Sequence, residues 1–182
     1  MPSPIAHSIS GYAIAKLWPD IRPRWPRRWL LFYTVFIAIA TDLDFIPQFL
    51  TGIPFHHGFT HSISLTIGVT FLARSVAYRY HRQRAIQLGV LTLILYGSHL
   101  ALDMVTQGGD GIQLLWPFST DYYQASFFFF PATHWSQPLL QHPGHIIFLM
   151  FELGYTLFIL MGVWLLQIKQ KVKQQRLRNL RG

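Results

Sequence analysis

The chain has 182 residues, of which 51% are apolar and only 12% are charged, and it contains no cysteine. This composition leaves two classes of protein, a well-buried soluble domain or a small membrane protein, and it excludes disulfides and thiolate metal ligands. The net charge of +8 is compatible with nucleic-acid binding, but the distribution of the basic residues favours a membrane protein.

Apolar segments of membrane-spanning length predict an all-α, polytopic membrane helix bundle. The weakly apolar segment 3 to 18 predicts an N-terminal helix that either crosses the membrane or lies at its interface, and the proline-rich segment 19 to 28 predicts a stiff connector. Four further segments approach the roughly 20 apolar residues that cross a hydrocarbon core about 30 Å thick. They cover residues 29 to 47, 62 to 80, 86 to 105 and 145 to 168. We predict one membrane-embedded metal-binding domain at 1 to 168 and a basic tail at 169 to 182.

The fifteen Lys and Arg residues predict the orientation of this bundle. They lie in blocks at 16 to 28, 74 to 84 and 169 to 181, whereas the loops 48 to 61 and 106 to 144 contain none. Because cytoplasmic loops carry an excess of basic residues, we expect the blocks and the C-terminus in the cytoplasm of a bacterium and the two loops in the periplasm. A basic tail usually contacts anionic lipid, so we expect membrane lipids as partners and no nucleic acid.

Metal-coordinating side chains lie in or beside the apolar segments. A charge inside a bilayer costs roughly 2.5 to 3.5 kcal/mol, so carboxylates held there need a compensating partner, and a divalent metal is the simplest one. The predicted topology places all six of these side chains in one outer layer, and an N-terminal helix that crosses would add His7. The six are Asp42, Asp44, His56, His61, His99 and Asp103.

The spacing of these residues suggests which of them bind metal together and which orient a ligand. His99 and Asp103 are four apart on a helix, so both side chains project from one face. Asp42 and Asp44 would point to different sides of an ideal helix, so one of them ligates while the other binds a second ion or orients a histidine. Helix capping is a poor alternative for the two aspartates, because a carboxylate near a helix C-terminus opposes the helix dipole.

The segment Phe-His-His-Gly-Phe-Thr-His-Ser adds the remaining histidines. His56 and His61 flank a turn that the glycine permits, and both can converge on the site. Thr60 is expected to cap the second spanning helix. His57 is interpreted as a ligand, a proton shuttle or a phosphate contact.

Mixed imidazole and carboxylate donors suit zinc, with manganese or iron as alternatives, and the number of donors is enough for one or two ions. Two ions about 3.5 to 4 Å apart would activate a bridging water and hold the attacking and leaving oxygens of a phosphoester. The donor set therefore favours hydrolysis.

The motifs occur in a recognisable order: Ser-Pro-Ile-Ala-His, Asp-Leu-Asp, His-His-Gly-Phe-Thr-His-Ser, and Ser-His-Leu-Ala-Leu-Asp followed by Gly-Gly and Leu-Leu-Trp-Pro-Phe-Ser. Over residues 1 to 120 this order resembles the YdjM-like family of inner-membrane proteins, described as LexA-regulated metal-dependent hydrolases. The family usually has arginine where this chain has His57, which removes an arginine-based phosphate contact. The resemblance implies that His56 and His61 are the matched ligand pair.

The pattern is also distantly similar to the zinc-dependent phospholipase C and zinc nuclease group. That group builds a multinuclear zinc site from an early His, an Asp, another His and a His-x-x-x-Asp helix, and it adds a downstream His-x-x-x-Glu pair. This chain instead has His145 and Glu152, seven residues apart on one helix face. They are further candidate ligands, and a helix-packing hydrogen bond is the equal alternative for Glu152.

The first functional hypothesis is a membrane-bound hydrolase that cleaves a lipid or lipid-linked phosphoester at the outer side of the inner membrane through a metal-activated water. Its metal ligands would be His7, Asp42, Asp44, His56, His61, His99 and Asp103, and its catalytic residues would be Asp42, Asp44 and His57. The alternative is a non-enzymatic protein that binds, senses or transports a divalent metal. Transport is less favoured, because the inner halves of the spans carry few polar groups. A structural protein with incidental histidines is the third hypothesis.

Overall fold

The computed structural model describes residues 3 to 21, 23 to 53, 56 to 132 and 143 to 179. Within these ranges the chain forms α-helices joined by short 3-10 segments and loops, and it has isolated β-bridges but no strand, which confirms the predicted all-α class. The helices are α1 (Pro4–Leu17), α2 (Arg27–Ile39), α3 (Phe45–Thr51), α4 (Ile63–Tyr78), α5 (Arg82–Met104) and α6 (Pro143–Asn179).

Three helical stretches among the described residues are long and apolar enough to cross a membrane, namely Arg27–Thr51, Arg82–Met104 and Pro143–Lys173. They correspond to three of the four predicted spans. The fourth corresponds to α4, whose 16 residues reach about 24 Å at the rise of an α-helix. That length is below the roughly 30 Å of a hydrocarbon core, so a fourth crossing stays a prediction, as does a crossing by the 14-residue α1.

The stretch that begins with α2 is not the uniform helix predicted for residues 29 to 47. A 3-10 segment, Ala40–Asp44, separates α2 from α3, and the helix continues past 47 to Thr51. Pro47 explains both features. Its ring cannot share an α-helix with the carbonyl of Leu43, but it fits the first turn of α3, where its missing N–H breaks no helical hydrogen bond.

This 3-10 segment changes where its aspartates point. Residues two apart lie about 160° apart around an α-helix but only about 120° apart around a 3-10 helix. Asp42 and Asp44 therefore diverge less than an ideal helix would require. Both are buried.

The N-terminal helix α1 is packed between its neighbours and contacts α2, α5 and α6. Its approach to α2 is close, because a Cβ on Gly11 would lie 2.9 Å from the Cβ of Ala38 and 3.0 Å from the carbonyl oxygen of Thr34. Glycine at position 11 is therefore required for this contact.

The buried polar residues gather at one end of the bundle. The 3-10 segment follows α2 at this end, α4 begins here just after His61, and α5 ends here with His99 and Asp103. The loop after α5 also packs against this end: Gln113 N–H donates to the carbonyl of His57 at 3.0 Å. The opposite end of α5 begins at Arg82, 17 residues before His99, which corresponds to about 25 Å of helix.

Candidate metal centre

Five side chains from four segments converge at this end, and we call them the central cluster: His7, Asp42, His61, His99 and Asp103. Asp103 lies at its middle. Its carboxylate oxygens are 3.4 Å from Nε2 of His7, 3.3 Å from Nε2 of His61 and 3.0 Å from Nε2 of His99. Asp42 Oδ1 lies 3.4 Å from Nε2 of His99 and 3.8 Å from Nε2 of His61. All five residues are buried, and Asp42 is the most exposed of them at 8%.

The converging atoms have no hydrogen-bond partner among the described residues. This holds for Nε2 of all three histidines of the cluster and for both carboxylate oxygens of Asp42 and Asp103, all of which are buried. Their N···O distances fall in or near the hydrogen-bond range, but none of these contacts is a hydrogen bond. Buried polar atoms without partners are costly. A cation bound among them would satisfy these atoms and balance the two carboxylates.

The distances within the cluster fit a metal ion. Donors held about 2.0 to 2.1 Å from one tetrahedral zinc ion lie about 3.3 Å apart along each edge of the tetrahedron. The N···O separations of 3.0 to 3.8 Å bracket this value. Two sets of three donors lie within 4.8 Å of one another, one of His7, His99 and Asp103 and the other of Asp42, His61 and His99. These buried His and Asp groups could hold a metal ion, and the two sets overlap at His99.

A contact outside the cluster orients His99, and stacking within the cluster orients His7. Nδ1–H of His99 donates to the carbonyl oxygen of Ala38 at 2.7 Å, which leaves Nε2 to face the cluster. A backbone carbonyl is a common partner for the second ring nitrogen of a metal-binding histidine. The ring of His7 stacks on that of His99 with 3.7 Å between centroids. The α1 to α2 contact and the position of His99 are therefore coupled through Ala38.

Asp44 lies behind the central cluster instead of within it. Its carboxylate accepts hydrogen bonds from His56 Nδ1 at 2.7 Å and from the Thr60 hydroxyl at 2.5 Å, and it lies 3.3 Å from His61 Nδ1. The sequence left open which aspartate would ligate and which would bind a second ion or orient a histidine. In the structure Asp42 faces the central cluster, and Asp44 orients histidines.

The two histidines before Gly58 form a second group with His61. His56, His57 and His61 each offer a ring nitrogen within 4.8 Å of the others, and His56 stacks on Phe45 with 3.7 Å between centroids. The turn differs from the one expected. His57 adopts the left-handed conformation (φ 64°), whereas Gly58 has φ −78°. Histidine is among the residues that reach this region more readily than most.

The electrostatics of this histidine segment are uneven. Burial, assisted by the neighbouring His56, lowers the pKa of His57 to about 3, so its imidazole is neutral and does not supply the positive charge of the family's arginine. Burial alone would lower the pKa of His61 too, but its contacts with Asp103 and the other two carboxylates raise that pKa well above the usual range. The carboxylates thus attract positive charge, which a proton or a metal ion can supply.

The expectation that Thr60 caps the second spanning helix is wrong. Ser62 caps α4, because its hydroxyl accepts the N–H of Leu65 at 3.1 Å. The Thr60 side chain binds Asp44, and its carbonyl oxygen accepts the Tyr96 hydroxyl at 2.7 Å. Both Thr60 and Ser62 are good capping residues, so sequence alone did not separate them. Thr60 and the carbonyl of Ala38 are the orienting groups that sequence reasoning missed.

His145 and Glu152 are buried in α6. Among the described residues, neither belongs to a group of three ligands that could hold an ion. Glu152 accepts a hydrogen bond from the backbone N–H of Ser3 at the start of α1, which is the helix-packing alternative stated for it. This contact lies four residues before His7, so Glu152 helps to fix the segment that carries a cluster histidine.

A first prediction concerns Asp44. Asp44→Asn should weaken metal binding by roughly 10-fold to 100-fold, because residues that orient metal ligands typically contribute in that range. Titration of the purified protein against a competing chelator measures the effect. Asp110→Asn, which changes an exposed loop carboxylate, is the matched control, and equal affinities of the two variants would contradict the orienting role.

A second prediction concerns the α1 to α2 contact. Gly11→Ala should lower both metal affinity and thermal stability, because the new Cβ would push on Ala38, whose carbonyl holds His99. Gly68→Ala, in a position of α4 with no heavy atom within 4 Å of the new Cβ, should leave both unchanged or raise stability by up to about 1 kcal/mol. Thermal unfolding in detergent and chelator competition test the pair, and indistinguishable variants would refute the coupling.

The sequence of the chain is similar to those of known inner membrane proteins. A family model described as YdjM inner membrane protein matches residues 1–173. The chain is also 32% identical over 131 residues to the inner membrane protein YbcI of Escherichia coli (strain K12), an overlap of 69% of this chain and 73% of that protein. No solved structure matches the chain. The long apolar helices fit the membrane location that both names state.

Proposed function

The chain belongs to the YdjM inner membrane protein family, and from that premise we propose that it is a membrane-bound, metal-dependent hydrolase. Its substrate would be a phosphoester of a lipid or lipid-linked molecule at the outer side of the inner membrane. The observation that carries the proposal is the central cluster, whose buried imidazole nitrogens and carboxylate oxygens face one another at 3.0 to 3.8 Å without hydrogen-bond partners.

The donors define the chemistry available. His7, Asp42, His61, His99 and Asp103 would hold one ion or two, with zinc the best match to an imidazole and carboxylate set and with manganese or iron as alternatives. A bound divalent ion would lower the pKa of water and polarise a phosphoryl oxygen.

The remaining groups of the site would handle orientation and protons. In the hydrolysis, the oxygen of water bonds to phosphorus, the ester P–O bond breaks, and a proton from water passes to the leaving oxygen. Asp42, the most exposed member of the cluster, and His57, whose buried Nε2 has no hydrogen-bond partner among the described residues, would carry that proton. Asp44 would hold His56 and His61 in position.

The surface beside the site supports a lipid substrate. The helix α3 begins directly after Asp44, and its Phe49 and Leu50 are 90% and 75% exposed. Phe118, in the loop after α5, is 89% exposed. Exposed apolar side chains next to a polar site suit a substrate that arrives from the membrane. The absence of Lys and Arg from residues 48 to 61 and 106 to 144 supports the outer side.

The test is a hydrolysis panel on the detergent-purified protein with its metal restored, using phospholipids and isoprenoid phosphates and measuring the released phosphate or phosphorylated headgroup. Activity should be lost with His99→Ala or Asp103→Ala and kept with Asp110→Ala. Metal-depleted protein with undiminished activity would end the proposal.

The burial of the cluster favours a second candidate, a non-enzymatic protein that binds, senses or transports a divalent metal. His7, His61 and His99 are at most 1% exposed, which leaves little room for a substrate to approach. Uptake of radioactive zinc or manganese into proteoliposomes separates the candidates. Flux above that of the Asp103→Ala variant, without hydrolysis of any substrate, would establish transport instead.

A further inference from the structure

A basic cavity lies at the end of the bundle opposite the central cluster. This cavity has a volume of about 470 Å³. Its lining includes Lys16 from the last turn of α1, Arg24 from the connector before α2, and Arg27 from the start of α2. Trp25 and Leu30 also line it. We call it the basic mouth. In the part of the chain that the structure describes, neither Arg24 nor Arg27 forms an ion pair. The two arginines therefore bring positive charge to the mouth that no described carboxylate pairs with.

An apolar groove between α1 and α2 continues from the basic mouth. The two cavities share Lys16, Arg27 and Leu30. The groove is lined further by Tyr12, Ala15, Leu31 and Thr34. It runs along the helices towards the place where α1 and α2 approach closely at Gly11. A site with a charged opening and an apolar interior matches a lipid, which has a charged headgroup and apolar acyl chains.

The mouth lies at the level expected for lipid headgroups. It surrounds the start of the candidate span Arg27–Thr51. Trp18 and Trp29, which are close in sequence to its lining residues, are 52% and 55% exposed, and Trp25 lines it. Tryptophan is enriched at the boundary between the hydrocarbon core and water.

We propose that the basic mouth and the apolar groove bind one anionic phospholipid. Its phosphate would lie among Lys16, Arg24 and Arg27, and the first methylene groups of one acyl chain would enter the groove between α1 and α2, which has a volume of about 60 Å³. Each basic side chain near an anionic lipid surface contributes favourably, and guanidinium groups bind phosphate through paired hydrogen bonds. The groove selects a lipid over a free phosphate, because a soluble anion would leave its apolar walls unfilled. This site is independent of the proposed hydrolysis at the other end.

The test is lipid retention by the full-length protein in detergent, measured by native mass spectrometry with phosphatidylglycerol or phosphatidylcholine added. Wild-type protein should retain phosphatidylglycerol preferentially. The variant Lys16→Gln/Arg24→Gln/Arg27→Gln should reduce that retention by about tenfold or more. The variant Lys169→Gln/Lys171→Gln/Lys173→Gln, which removes the same charge from α6, should have little effect. Equal losses in the two triple variants would show general electrostatic attraction and overturn the site.

Two further measurements test the groove and the folding of the variants. Leu31→Trp, which fills the groove without changing charge, should weaken phosphatidylglycerol retention, whereas Leu166→Trp on α6 should not. Glycerol phosphate at millimolar concentration should fail to displace the lipid, and displacement by it would reduce the site to an anion site. Circular dichroism confirms helicity, and Arg24→Gln alone, a change at an exposed position, replaces the triple variant if that does not fold. Unchanged retention in Arg24→Gln and Leu31→Trp would overturn the proposal.

Discussion

Replacing Asp103 with asparagine should release nearly all of the bound metal from the purified protein. The carboxylate of Asp103 contacts Nε2 of three histidines at 3.0 to 3.4 Å, one contact more than Asp42 makes. Asparagine keeps the size of the side chain but removes its charge, so packing should change little. The affinity should fall by about 100-fold or more, beyond the range typical of residues that only orient ligands. Elemental analysis after gel filtration, together with chelator competition, measures this loss.

The control for this variant is Asp110→Asn, at an exposed position in the loop after α5, which should keep the full metal content. The order of effects is itself a test, because Asp103→Asn should be more severe than Asp44→Asn. If Asp103→Asn retained metal with unchanged affinity, the middle of the cluster would not be the place where an ion binds.

Removal of metal by chelation should lower the thermal stability of the wild-type protein sharply. A ligand that binds only the folded state stabilises it by about 4 kcal/mol at a concentration 1,000 times its dissociation constant. For a chain of this size each kcal/mol corresponds to roughly 2 to 4 °C in Tm. The expected fall is therefore about 10 °C. The physical cause is the repulsion and desolvation of buried carboxylates that lose their compensating cation. Thermal unfolding in detergent with and without a chelator measures it.

The matched comparison is the same chelation on Asp103→Asn, whose Tm should not respond because its site holds little metal. Readdition of zinc should restore the Tm of the wild-type protein and leave the variant unchanged. If neither chelator nor zinc changed the Tm of the wild-type protein, the cluster would be held together without an ion.

The sequence predicted most of the residues that meet in the central cluster. His99 and Asp103 lie four apart on one helix, and the carboxylates of the apolar segments need compensation wherever they lie. These two constraints depend only on helix geometry and on the cost of burying charge. The structure brings five of the seven predicted ligands together, namely His7, Asp42, His61, His99 and Asp103. The other two, Asp44 and His56, pair with each other beside the cluster.

Which of Asp42 and Asp44 faces the cluster and which orients histidines could not be predicted, because it depends on the 3-10 segment that precedes Pro47. The proline rules out a regular helix at this point, but its effect could equally have been a kink, or an end to the helix near 47 as predicted. The position of Asp44 depends in turn on Thr60, whose hydroxyl donates a hydrogen bond to it. From the sequence, the same hydroxyl could equally have capped the following helix. Choices between equivalent local hydrogen bonds are decided by tertiary packing.

The most direct measurement is elemental analysis of the wild-type protein, purified in detergent and separated from free metal. We expect at least one equivalent of zinc, manganese or iron per chain, lost on strong chelation and regained on incubation with the same metal. Less than about a tenth of an equivalent, with no uptake when each of the three metals is supplied, would contradict it, since strong sites built from several histidines and carboxylates retain their ions during purification.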